Sequence, residues 1–136
     1  MQLGLSEIIE KTQAIGNRAK KIEFLRQHNS KALRELMAFT YDPRVVWELP
    51  EGDPPYNQSV LEDDHGMLIN QMRKLYLFVR GGTGSEMPAH RREHLFIQLL
   101  ESINKGDALL LLGAKNKRMP KQITQKIIEE AFGVYE

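Results

Sequence analysis

The chain has no cysteine, one tryptophan and almost no net charge in its 136 residues. Without cysteine it cannot form disulfides, supply a thiol nucleophile or build a cysteine-based zinc site. The apolar run at residues 108–112 is far shorter than the roughly 20 residues of a membrane-spanning helix. The first residues show no basic segment followed by an apolar one, as a signal peptide would. We therefore expect a cytoplasmic protein with no membrane segment.

The apolar residues recur at helical spacing along most of the chain, in segments of about ten residues. The strict alternation that marks a half-buried strand does not persist anywhere, and no internal repeat is visible. A length of 136 residues fits one domain and is enough to bury a core. The sequence therefore predicts an all-α fold: a compact single domain of six to seven short helices over residues 1–136.

Local signals indicate where these helices begin and end. Asn17 and Ser30 are predicted N-caps, and Ser6 and Asp107 are assigned the same role. One longer helix is predicted from about residue 63 to residue 80 on the spacing of its apolar residues. The connections at about 48–64 and 81–87, rich in proline and glycine respectively, are predicted to be mobile loops.

The charges are separated along the sequence although their sum is only +1. Residues 105–126 contain six lysines and arginines and one acid, whereas residues 48–64 contain six acids and no lysine or arginine. A near-neutral total does not by itself indicate a nucleic-acid partner, but a concentrated cationic segment does favour a large anion. The commonest such anion is a nucleic-acid backbone.

The basic turn, residues 115–121, is the best candidate for an anion site. Its lysines and arginine can neutralise phosphates, and a helix predicted to begin near Gln122 offers free backbone N–H groups. The alternative interpretation is a solvated basic loop with no ligand. The pairs Lys20-Lys21, Arg73-Lys74 and Arg91-Arg92 extend this surface only if the fold brings them together.

Other chemistry has weaker support. His90 and His94 have the spacing of two metal ligands on a helix, but two arginines follow His90 where a metalloprotease motif has glutamate. The glycine-rich residues 81–85 lack the lysine of a phosphate-binding loop and follow a predicted helix. Trp47, Tyr41 and Tyr76 are expected to pack in the core. We therefore predict no catalytic residue, no metal and no cofactor.

The first third of the chain resembles the start of the ATP-dependent DNA ligases of T-even-like phages. The similar features are an Ile15-Gly16 break, a lysine-rich helix with Lys20-Lys21, and a leucine-rich helix ending in Thr40-Tyr41. The later segments also fit loosely, up to Ala131-Phe132-Gly133. The chain is similar as well to small stand-alone phage proteins of uncharacterised function.

In those ligases the corresponding helical domain binds duplex DNA around a nick through the backbone and minor groove. The resemblance implies the same here, without chemistry, because the Lys-x-Asp-Gly sequence of the adenylated lysine is absent. The expected role is in phage DNA metabolism in the host cytoplasm, on intact or nicked double-stranded DNA. The residues that the resemblance assigns to DNA contact are Lys20, Lys21, Lys115, Lys117, Arg118 and Lys121.

A second hypothesis is a protein–protein adaptor for a phage or host replication or transcription protein. The acidic loop, residues 48–64, would then be the contact, since prolines and aromatic residues in a mobile segment suit docking to a partner. The two hypotheses differ in the charged segment that matters: the basic turn for DNA, the acidic loop for a protein. The residues expected to carry the adaptor contact are Trp47, Pro54, Pro55 and Tyr56.

Overall fold

The computed structural model of the chain describes residues 3–57, 67–84, 86–120 and 122–133. It confirms the predicted all-α class. Two short 3₁₀ helices, Leu68–Asn70 and Met72–Leu77, lie between the third and fourth α-helices. Among the described residues, no helix combines the length and the apolar character needed to cross a bilayer. The α-helices are α1 (Leu5–Ala14), α2 (Arg18–Gln27), α3 (Lys31–Tyr41), α4 (Ala89–Ser102), α5 (Lys105–Lys115) and α6 (Gln125–Phe132).

Helix α5 lies at the centre of the fold. It packs against α1, α3, α4 and the first 3₁₀ helix, so Ala108, Leu111 and Ala114 are fully buried. Helix α6 packs mainly on α2 through its buried Ile127 and Ile128. This arrangement brings the end of α5 and the start of α6 close to α2 and α3, which positions the basic turn between them.

The capping predictions are confirmed in two places and wrong in two. The side chains of Asn17 and Ser30 accept the backbone N–H group of the third residue of α2 and α3 respectively, as expected of N-caps. Ser6 lies inside α1, whose N-cap position is Gly4. Asp107 lies in the first turn of α5, and Asn104 is the cap, because its side-chain oxygen accepts the Asp107 N–H at 2.9 Å.

The prediction of one α-helix from residue 63 to residue 80 is wrong for its described part. Residues 68–77 form the two 3₁₀ helices, although Leu68, Met72 and Leu75 are buried as their spacing predicted. Apolar residues at intervals of three and four suit either helix type over so short a segment. Residues 58–66, which include the predicted start of this helix, lie outside the described residues.

A short extended pairing fixes the end of this region. Trp47 and Val79 form an isolated antiparallel bridge, flanked by hydrogen bonds from Glu48 N to Phe78 O (2.7 Å) and from Arg80 N to Val46 O (2.8 Å). The pairing explains why the 3₁₀ helix stops, since residues 78–80 use their backbone groups on the segment after α3. It also positions the beginning of the acidic loop.

The glycine-rich segment after the bridge is closely packed in its described part. Buried Arg92 donates hydrogen bonds to the backbone oxygens of Gly84 (3.2 Å) and Met87 (2.8 Å). A Cβ atom at Gly84 would lie 2.3 Å from the Leu77 carbonyl oxygen, and Cβ atoms in proteins essentially never lie within 3.0 Å of such a neighbour. Residue 85 of the predicted loop lies outside the described residues.

We expect the substitution Gly84→Ala to lower the free energy of unfolding by about 1–3 kcal/mol, because the added methyl group meets backbone that cannot move aside cheaply. Gly16→Ala is the matched control, since a Cβ at exposed Gly16 meets nothing within 4 Å. Chemical denaturation followed by tryptophan fluorescence measures both. Equal stability of the two variants would show that the segment after the bridge yields more easily than its packing indicates.

Candidate nucleic-acid interface

The basic turn begins where α5 ends and reverses the chain direction within a few residues. Lys117 has a φ angle of 60°, which is uncommon for a residue other than glycine. The backbone N–H groups of Lys117 and Arg118 donate to Ala114 O (2.9 Å) and Gly113 O (2.7 Å). These bonds satisfy the last carbonyl groups of α5 and hold the turn against the helix.

Lys115, predicted as a DNA contact, is buried. Its ammonium group donates to the carbonyl oxygens of Pro50 and Gly52, and to Asn116 Oδ1 at 3.3 Å. Burial lowers the pKa of Lys115, while the nearby carboxylates of Asp53 and Glu51 act in the opposite direction. An outside anion therefore has no access to the Lys115 charge in this conformation, which the sequence analysis did not foresee.

The acidic loop lies against the basic turn. Asn116 Nδ2 donates to Asp53 Oδ1 at 3.0 Å, in addition to the Lys115 bonds. A groove of about 760 Å³ runs between residues 45–53 and residues 115–118, so that Glu51 and Asp53 share it with Lys117 and Arg118. The charge separation seen along the sequence is therefore partly cancelled in space at this position.

Lys117 is exposed and lies at the end of α3. Its ammonium group donates to Asp42 O at 3.0 Å, where the helix leaves carbonyl oxygens of partial negative charge. Burial lowers the pKa of Lys117, and the Asp42 charge opposes that change. Lys117 is thus held at the end of α3 by its ammonium group while the residue remains exposed.

Arg44, which the sequence analysis did not select, lies next to this contact. Its guanidinium pairs with the Asp42 carboxylate, with Nη2 to Oδ2 at 2.8 Å and Nε to Oδ1 at 3.0 Å. The pairing holds the pKa of the Asp42 carboxyl below its usual range. The side chain of Arg44 is 59% exposed, so its positive charge faces solvent beside Lys117. No sequence signal places Arg44 near residue 117, because 73 positions separate them.

The two lysines of α2 lie beside the segment that follows the basic turn. Lys21 Nζ donates to Gln122 O at 3.0 Å, and the exposed side chain of Lys20 precedes it on the same helix. Gln13 of α1 also contacts Gln122, with Nε2 to Oε1 at 3.3 Å. The predicted α2 residues and the predicted turn residues therefore approach each other at Gln122. Lys121, which is also predicted to contact DNA, lies outside the described residues.

Other cations of α2 have structural partners. Arg18 forms an ion pair with Glu130 at 2.6 Å, and Arg26 donates to the backbone oxygens of Glu130 and Ala131. Both arginines therefore hold the end of α6, whose carbonyl groups would otherwise be unsatisfied. Of the other α2 cations, Lys21 contacts the segment before α6, and Lys20 is exposed.

Arg118 is exposed and borders a second groove, of about 590 Å³, between α1 and α5. Leu109, which is 56% exposed, lies in that groove together with Met119 and Pro120. Asp53 borders both grooves, so the acidic loop lies near Arg118 as well. The Arg118 side chain is exposed, whereas Lys115 is the member of the predicted set that the acidic loop contacts directly.

The remaining candidates give no metal site in the described part of the chain, where no three histidine, aspartate or glutamate side chains are grouped as ligands. His94 of α4 contacts Gln98 at 3.2 Å. Tyr76, expected in the core, is 41% exposed and donates its hydroxyl hydrogen to Glu35 at 2.9 Å. Trp47 and Tyr41 are half-buried and donate to Phe39 O and Ile123 O at 3.0 Å.

Fold and site together define a small all-α protein with exposed cations on α2 (Lys20) and on the α5–α6 connection (Lys117 and Arg118), which the half-buried Lys21 joins through Gln122. A family model matches residues 8–121, so the chain belongs to a protein family of unknown function, DUF6433. The match begins within α1 and includes α2 to α5 and the basic turn up to Lys121. No curated protein sequence and no solved protein structure matches the chain.

Proposed function

We propose that the protein binds double-stranded DNA without chemistry, through the phosphate backbone. The proposed interface consists of Lys20, Lys21, Lys117 and Arg118, with Lys121 as a candidate from the sequence. Lys115 is left out because its ammonium group is buried under the acidic loop. Contacts of this type position a protein on a duplex and carry little sequence information, so binding is weakly sequence-specific.

The observation that carries the proposal is the contact between Lys21 and Gln122. A distance of 3.0 Å between Lys21 Nζ and Gln122 O joins α2 to the chain that leaves the basic turn. This contact brings Lys21 beside the segment that follows Lys117 and Arg118, which supports a surface of several cations such as phosphate neutralisation requires. If the basic turn were only a solvated loop without a ligand, it would not need the lysines of α2 beside it.

The start of α6 adds to this surface. Thr124 caps the helix by accepting the Ile127 N–H at 3.3 Å, which leaves other first-turn N–H groups available. Such groups, at the positive end of a helix dipole, favour a phosphate. Lys126, exposed in the same turn, adds a further charge.

The resemblance of residues 5–42 to the helical domain of phage DNA ligases supports the same function. In those enzymes the domain grips the duplex around a nick while other domains perform the chemistry. We infer from it a preference for nicked duplex and a role in phage DNA metabolism. Lys20 and Lys21 lie in the segment that carries the resemblance, and both belong to the proposed interface.

The test is fluorescence anisotropy of labelled nicked and intact duplexes over a salt series. Four phosphate contacts predict a slope of about −3.6 for the logarithm of the binding constant against that of salt concentration. Affinity should therefore fall about a hundredfold between 50 and 200 mM salt. Absence of binding at the lowest salt concentration would refute DNA binding by the protein with its acidic loop in the position seen here.

The adaptor hypothesis is the second candidate, and the groove beside the acidic loop favours it. Val46 is 37% exposed at this groove, whose lining combines apolar side chains with charged residues of both signs. Trp47 packs against Phe39 and Phe96, so it contributes less to such a contact than the sequence suggested. Without DNA binding, a pull-down from infected cells would be the next experiment.

A further inference from the structure

Residues 50–57, called here the strap, cross from the end of α5 to α4 and are fastened at both ends. At one end Lys115 donates to the carbonyl oxygens of Pro50 and Gly52, and Asn116 donates to Asp53. At the other end the backbone N–H of Asn57 donates to Glu101 Oε2 at 2.7 Å. The strap therefore closes over the first two residues of the basic turn.

The fastening at Lys115 joins a cation to neutral acceptors. An ammonium group removed from water is costly unless a strong partner compensates for it, and a carbonyl oxygen is a weaker partner than an anion. Glu51 and Asp53 influence Lys115 through space, yet neither forms an ion pair with it among the described residues. A phosphate oxygen would thus bind this ammonium group more strongly than the strap does.

The construction of the strap permits it to open. Glu51, Gly52 and Asp53 are exposed, and Gly52 has a φ angle of 83° with no atom within 4 Å of the place a Cβ would occupy. Leu49, which precedes the strap, packs against the core and defines where movement would stop at that end; Tyr56, within the strap, is partly packed there as well. A segment held by a few polar contacts at the surface belongs to the low-stability part of a fold.

We propose that the strap is an autoinhibitory cover that competes with DNA phosphates for the basic turn. With the strap closed, Lys115 and Asn116 are occupied, and the acids of the strap repel an anion approaching Lys117 and Arg118. A duplex backbone displaces the strap, gains Lys115 as an additional contact and moves two carboxylates away. This inference rests on the proposed DNA-binding function and adds a control of the same site.

The release variant Asp53→Ala/Glu101→Ala tests the inference, since it breaks the fastenings at Asn116 and Asn57 without altering any residue of the basic turn. We expect it to bind duplex DNA about tenfold more tightly at low salt, with a salt slope steeper by about one contact. The control Glu23→Gln/Glu86→Gln loses the same charge from exposed positions outside the strap, and its affinity should stay within about twofold of the parent. Hydrogen exchange of residues 50–57 reports opening independently of DNA.

Adding Lys115→Met to the release variant should return the slope to that of the parent, because the recruited contact is gone. If the parent binds DNA and the release variant has the same affinity and the same salt slope, the strap inference fails while the DNA function stands. If neither protein binds at low salt, both fail; binding by the release variant alone supports both. Should the release variant melt early, Asp53→Asn removes the charge and keeps an acceptor for Asn116, with about a threefold gain expected.

Discussion

Replacement of Asp107 by alanine is expected to lower the free energy of unfolding by about 3–5 kcal/mol, a large share of the stability of a small domain. The Asp107 carboxylate is fully buried. It accepts the backbone N–H groups of Ser6 (3.1 Å) and Leu68 (2.9 Å) and the Asn104 side-chain amide (3.1 Å). One carboxylate thus joins the start of α1, the first 3₁₀ helix and the start of α5, and its loss leaves these donors buried without an acceptor.

Asp107→Asn separates the charge from the shape of this side chain. One oxygen remains as an acceptor, but the new amide group would face an N–H donor, so we expect a loss of about 2–4 kcal/mol. Glu7→Gln is the matched control: Glu7 is also third in its helix and accepts the Gly4 N–H at 3.3 Å, but it is exposed. Urea denaturation followed by the fluorescence of the single tryptophan measures all three variants. A loss below about 1 kcal/mol for Asp107→Asn would mean that the site admits water.

The contrast between Asp107 and the other caps shows which parts of the fold are readable from local sequence. Asn17 and Ser30 were predicted correctly because a cap bonds within three residues of itself. Asn104 and Asp107 both have the chemistry of a cap, and the choice between them depends on Ser6 and Leu68, which are distant in sequence. The all-α class followed from the repeated apolar spacing, which needs no knowledge of distant partners.

The site was predictable to a similar extent. The basic turn was identified from its composition, and its geometry after α5 agrees with a turn. Lys115 was included because a count of charges does not reveal that its partners, Pro50 and Gly52, are 65 and 63 residues away. Arg44 was missed for the same reason. Long-range packing, which decides whether a cation is buried or exposed, is the information that composition lacks.

Removal of the four proposed interface charges should nearly abolish DNA binding. The variant Lys20→Ala/Lys21→Ala/Lys117→Asn/Arg118→Ala is expected to bind about ten-thousandfold more weakly than the parent at 0.1 M salt, because each of the four lost phosphate contacts costs about a factor of ten there. Asparagine is chosen at residue 117 because it tolerates the positive φ angle that alanine would strain. Anisotropy with a labelled duplex measures the affinities, and the salt slope should fall toward zero as the contacts disappear.

A second quadruple variant separates this interface from the overall charge. Lys31→Ala/Arg34→Ala/Arg73→Ala/Arg91→Ala removes four positive charges from exposed positions outside the α2 and turn surface. If the charges acted only through long-range attraction, both quadruple variants would lose the same affinity. Direct contact predicts only a few-fold loss in this control, since exposed charges beyond a Debye length of about 10 Å are screened at 0.1 M salt. Equal losses would therefore contradict the assignment of the interface even if the protein binds DNA. A melting temperature near that of the parent shows that each variant remains folded.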